Sequence, residues 1–131
     1  MKILILFCTI IIFSCGKDNT IGIKNHGYYI NDEYDRIYAY YLYDFVSKES
    51  LKSFSETVEH EIGRTTIQYY FSHNANIPFR ELNKSLTFLE ARLLMQKYFY
   101  NIKYVYMRDK NTRGRLVDCM EIPDDPLCNG S

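Results

Sequence analysis

The residues with the widest chemical range in this chain are three histidines, His26, His60 and His73, and their scatter argues against metal or acid–base work. A zinc site of the HExxH type needs two imidazoles on one helical face, and no such pair occurs. Glu59-His60-Glu61 sets three potential ligands in a row, but neighbours on a helix point about 100° apart, so they read as a solvated face. There is no GxSxG elbow to expose a nucleophile, and the six glycines form no phosphate-cradling cluster. The expectation is a protein with no catalytic residues, no metal and no cofactor. Two features remain that could serve contact rather than catalysis. Arg108, Lys110, Arg113 and Arg115 crowd one short segment, where they could meet an acidic partner or anionic lipid phosphate, or simply keep a turn solvated. Thirteen tyrosines stand against no tryptophan, and seven of them, at 28, 29, 34, 38, 40, 41 and 43, lie within sixteen positions. Tyrosine buries ring area while keeping its hydroxyl wet, which suits an interface as well as a core.

The frame for these residues is set by 131 residues, 47% apolar and 24% charged, with 16 Lys+Arg balancing 16 Asp+Glu. That composition fits one small globular domain and sets aside both a disordered chain and a general nucleic-acid binder, which needs a basic excess. Charge is balanced only globally. Residues 31–61 hold eight acids and three bases (net −5), residues 62–117 three acids and ten bases (net +7), and residues 118–131 four acids and no base (net −4).

Lys2 precedes an apolar run from Ile3 to Phe13, too short for a bilayer span of ~20 residues but suited to the hydrophobic region of a signal peptide. Ile12-Phe13-Ser14-Cys15 resembles the bacterial lipobox, an aliphatic residue three before the cysteine and a small one directly before it. The resemblance implies that residues 1–14 are removed and that Cys15 carries diacylglycerol and an acylated amino group. Several acyl chains at roughly 0.8 kcal/mol per buried CH2 give a durable anchor, which a single chain does not. Gly16 stands where an inner-membrane retention aspartate would stand, so the expected address is the outer membrane, facing the periplasm or the cell surface. On this resemblance Cys8 leaves with the leader and Cys15 is acylated, so Cys119 and Cys128 are the pair that can form a disulfide in an oxidising envelope.

Residues 15–30 mix Gly, Asn and charge and read as a lipidated tether, with a single domain over 31–131. Tyr34, Ile37, Tyr38, Tyr41, Leu42 and Phe45 recur at steps of three and four and predict a helix over 32–47, leaving Tyr40 and Tyr43 off the buried stripe as contact candidates. Leu51, Phe54, Val58 and Ile62 predict a second helix. Alternation from Thr65 to Ser72 predicts a strand, and Thr87 with Glu90 has capping-box spacing before a third helix carrying Leu86, Leu89, Leu93 and Leu94. Strands over 102–107 and 115–122, joined by a basic turn, complete the order helix, helix, strand, helix, strand, strand. The expected fold class is α+β, a small sheet of about three strands with helices on one face and a C-terminal disulfide.

The element order over residues 63–128 resembles that of the small α+β pilotin lipoproteins that guide secretin subunits to the outer membrane. The resemblance implies a non-catalytic protein-binding module in a secretion or pilus apparatus. Its groove, between the third helix and the sheet, would take an amphipathic helix, with Tyr69, Phe71, Leu89 and Leu93 as lining. The alternative reading is an immunity, exclusion or inhibitor lipoprotein that uses its polarised charge to bind an incoming toxin or transfer component.

Overall fold

The computed structural model describes residues 22–111 and 113–130; the leader, the lipobox with Cys15 and the start of the tether lie outside them. Five strands form one mixed sheet in simple sequence order: β1 (Ile23–Ile30), β2 (Arg36–Leu42), β3 (Thr66–Ser72), β4 (Ile102–Arg108) and β5 (Gly114–Asp118). All neighbours are antiparallel except β2 and β3. A parallel pair needs a crossover, and α1 (Lys48–Thr57) supplies it. Helix α2 (Phe88–Gln96) lies between β3 and β4 in the chain, and α3 (Pro126–Asn129) follows β5.

The α+β class stands, but the three-stranded sheet with helices on one face does not. Two strands come from residues 23–42, expected as tether and helix. In β2, Arg-Ile-Tyr-Ala-Tyr-Tyr-Leu is rich in β-formers and buried throughout, as suits a central strand covered on both faces. Its side chains split by twos: Ile37, Ala39 and Tyr41 enter the core under α2, while Tyr38, Tyr40 and Leu42 enter the core under α1. Residues 23–30, the end of the expected tether, form the edge strand β1; Tyr29 is buried while Lys24, Asn25 and His26 face solvent. Its pairing shifts between Asn25 and Gly27, a bulge centred on His26.

Each face therefore has its own helical cover. Helix α1 starts at Ser47, whose hydroxyl accepts the Ser50 N–H at 3.1 Å, and it buries Leu51 and Ser55 over Tyr70. Lys48 pins its first turn to the end of β5 through Asp118 (3.0 Å) and Glu121 (2.8 Å). Ile62, expected on this helix, lies beyond its end and is exposed. On the other face α2 carries the expected capping box: the Thr87 hydroxyl accepts the Glu90 N–H and the Glu90 carboxylate accepts the Thr87 N–H, each at 3.1 Å. The Cys119–Cys128 disulfide is present with a Cα–Cα distance of 5.6 Å, tying the end of β5 to α3. Asp125 caps α3, Pro126 opens it, and Gly130 closes it at φ 71°.

Candidate functional site

The β1–β2 turn and the chain entering α2 enclose a cleft of about 690 Å³. Tyr29, Tyr34, Leu86 and Phe88 form its apolar wall, with Asp32 and Lys84 among its charged lining. The turn that shapes it is tightly braced. The Asn31 side-chain oxygen accepts the N–H groups of Glu33 (3.0 Å) and Asp35 (2.9 Å), and the Arg64 guanidinium donates to Glu33 (2.5 Å) and Asp35 (2.7 Å). The Thr65 N–H reaches the other Asp35 oxygen at 3.0 Å. Burial opposes ionisation of Asp35, yet Thr65, Asn31 and Arg64 outweigh it and hold the carboxyl below its ordinary range.

Within this turn Tyr34 takes φ 66° and is the single non-glycine residue at positive φ among the described residues. An L-residue pays roughly 1–2 kcal/mol for that conformation, where Gly or Asn would be the usual choice. The turn nevertheless presents a tyrosine, 54% exposed, at the cleft. On the opposite side Tyr29 donates its hydroxyl to the Leu86 carbonyl at 2.8 Å, which fixes the approach to α2. Leu89 follows Phe88 in the chain, and with Leu93 it forms an exposed row along α2, 62% and 51% accessible. Cleft and leucine row thus begin at the same helical turn. The chemistry on offer is apolar insertion against rings, with charge nearby for orientation.

The proposed groove residues do not assemble as expected. Tyr69 and Phe71 are wholly buried beneath α2, and no groove separates helix from sheet there, because Ala91 and Met95 fill the contact. Burial pushes the Tyr69 hydroxyl up to about 12, with Arg92 partly offsetting it. Tyr40 is also internal, stacked on Tyr70 at 5.1 Å and met edge-on by Phe54 at 5.3 Å. Tyr43 is at the surface, where its hydroxyl meets His26 Nε2 at 3.2 Å, its ring stacks on His73, and the Lys24 ammonium sits 4.7 Å from its centroid.

The basic hairpin divides between the two faces of the sheet. Arg108 lies beside Thr66 in the register on the α1 face, whereas Arg115 lies on the other face and pairs with Asp125 at 2.9 Å. Lys110 and Arg113 remain exposed. Cys15 is outside the described residues. Among the described residues, no three His, Cys, Asp or Glu side chains converge on a metal position.

The cleft is hidden in the sequence because Tyr34 fits a helical stripe with Ile37, Tyr38 and Tyr41. The available signal was the Asn31-Asp32-Glu33 run between two aromatic-rich segments, the composition of a turn. No protein-family model matches this chain, and neither the curated proteins nor the solved structures gave a match.

Proposed function

We propose that this chain is an envelope lipoprotein, anchored through Cys15 to the outer membrane and facing the periplasm, whose domain binds a secretin subunit without catalysis and assists its assembly. The carrying observation is the exposed Leu89–Leu93 row beside the Tyr34 cleft. Two leucines four positions apart on an outer helix face match the i, i+4 anchors by which an amphipathic segment docks, and the cleft offers a ring-lined end stop. The disulfide suits an oxidising compartment, and the lipobox supplies the tether. In this reading the partner lies on the outside of α2; the space beneath it is filled by Ala91 and Met95.

Two measurements test the proposal. Labelling with a palmitate analogue should tag the wild type and not Cys15→Ala, and equal labelling of both would remove the anchor. Deleting the protein should leave the secretin in inner-membrane fractions, and a strain carrying Leu89→Asp with Leu93→Asp should reproduce that defect at normal protein level. Normal outer-membrane secretin multimers in both strains would overturn the assembly role.

A further inference from the structure

One row of the sheet on the α1 face carries an unusual set of donors. The register aligns Arg36 with Thr66 and Thr66 with Arg108, so two arginines flank one buried threonine, their Cα atoms about 10 Å apart by two strand spacings. The segment leaving α1 brings His60 over this row, with Nδ1 2.9 Å from the Thr66 hydroxyl. When Nδ1 accepts from that hydroxyl, Nε2 carries the proton and is itself a donor.

Two of these side chains, Arg36 and His60, are poorly met. Arg36 is only 5% exposed, yet its Nε and Nη1 have no hydrogen-bond partner and are sealed from solvent, as is His60 Nε2. The remaining Arg36 nitrogen, Nη2, meets one Glu59 oxygen at 3.4 Å, and the Glu59 side chain is 76% exposed. A buried guanidinium calls for a well-placed anion, and two parallel contacts to one acceptor group are the geometry it favours. Glu59 supplies one long contact.

We propose that the Arg36–Thr66–Arg108 row with His60 is an oxyanion site, taking a phosphate-class dianion, free or as a phosphomonoester headgroup. Glu59 holds the position on Arg36 that the ligand would take. The dianion displaces its carboxylate into solvent, engages Arg36 through two nitrogens, and receives His60 Nε2–H and the positive charge of Arg108 from the other sides. The site owes nothing to the leucine row or the cleft and stands or falls separately from the proposed assembly role.

The experiment is calorimetric titration of the full chain in non-ionic detergent with sodium phosphate, against sodium chloride at equal ionic strength. Saturable phosphate binding is expected, and Glu59→Gln should tighten it about tenfold, the change that ~1.4 kcal/mol of relieved repulsion gives. Arg36→Gln should abolish it; if that variant fails to fold, the Glu59→Gln result decides alone, because a merely structural Glu59 would leave affinity unchanged or lower. Dihexanoyl phosphatidic acid serves as a second probe. Competition between it and phosphate supports a site for the phosphomonoester from either source, and binding of the lipid alone, with the Glu59→Gln gain, assigns the headgroup. Equal heats from phosphate and chloride with no lipid binding, or binding insensitive to Glu59→Gln, would overturn the site.

Discussion

Replacing Tyr34 separates backbone strain from ring contact, because alanine and glycine remove the same ring but differ in tolerance of φ 66°. At an ordinary extended or helical position alanine is the more stable of the two by roughly 0.5–1 kcal/mol, since glycine has more chain entropy to lose. At position 34 the order should reverse. Alanine keeps the roughly 1–2 kcal/mol penalty of the left-handed region, glycine sheds it, and the net difference favours Tyr34→Gly over Tyr34→Ala by about 1 kcal/mol. The turn should hold its shape in both variants, because Asn31, Arg64 and Thr65 brace it without using the Tyr34 side chain. Urea unfolding measures the gap directly: with a slope of about 1.5 kcal/mol/M, the glycine midpoint should lie roughly 0.7 M above the alanine midpoint at equal slope. Both variants lack the ring and should therefore bind the proposed partner equally weakly. An alanine variant as stable as the glycine variant, or more so, would refute the reasoning, since it would mean that residue 34 carries no left-handed strain.

Two further outcomes follow from the α1 face. Tyr70→Phe removes the hydroxyl that donates to Gln68 Oε1 at 2.5 Å and meets Ser55 Oγ at 2.7 Å, leaving a buried acceptor unmet. The expected loss is about 2 kcal/mol, or roughly 10 °C in thermal midpoint, and a drop under about 2 °C would contradict it. His60 should make stability fall as the solution is acidified. Burial, then Arg108 and Arg36, depress its pKa against the opposing pull of Glu61 and Asp109, with Glu59 alongside on Arg36. The folded state thus resists the proton that the unfolded chain takes up near pH ~6.5. Stability is fully present above that pH and declines as pH falls through it toward the lower folded value; His60→Gln should flatten the urea midpoint between pH 8 and 5.5. The depressed carboxylates Asp35, Asp118 and Asp125 act in a separate window, below about pH 4.

Local signals were legible where they were unambiguous. The β3 alternation, the Thr87–Glu90 box, the β4–β5 hairpin and the Cys119–Cys128 bond all stand in the structure. The segment 36–42 misled because a run this dense in aromatic residues satisfies steps of three and four as readily as steps of two. What decides is burial on both faces, which depends on where α1 and α2 settle. Residues 23–30 misled for the opposite reason: an edge strand keeps few inward side chains, and Lys24, Asn25 and His26 gave it the composition of a linker. In α2 the helix was legible but its phase was not. The leucines at 89 and 93 point outward, and the smaller Ala91 and flexible Met95 point in, because the helix sits close against a sheet already crowded by Tyr69 and Phe71.

That crowding also narrows where a partner can bind. Both faces of the sheet are packed under helices, so neither offers a groove to a protein partner. The two edges are blunted against strand addition in different ways: β1 by the bulge at His26, and β5 by its five-residue length. Exposed Phe45 and Ile62 stand in separate connecting segments, the first before α1 and the second after it. The Leu89–Leu93 row differs from these because it is held on a capped helix whose opposite side is locked in the core, so its ordering is complete before a partner arrives. A preordered apolar row beside a braced cleft is the arrangement in which two leucines can contribute most to affinity, and it is there that substitution should separate binding from folding.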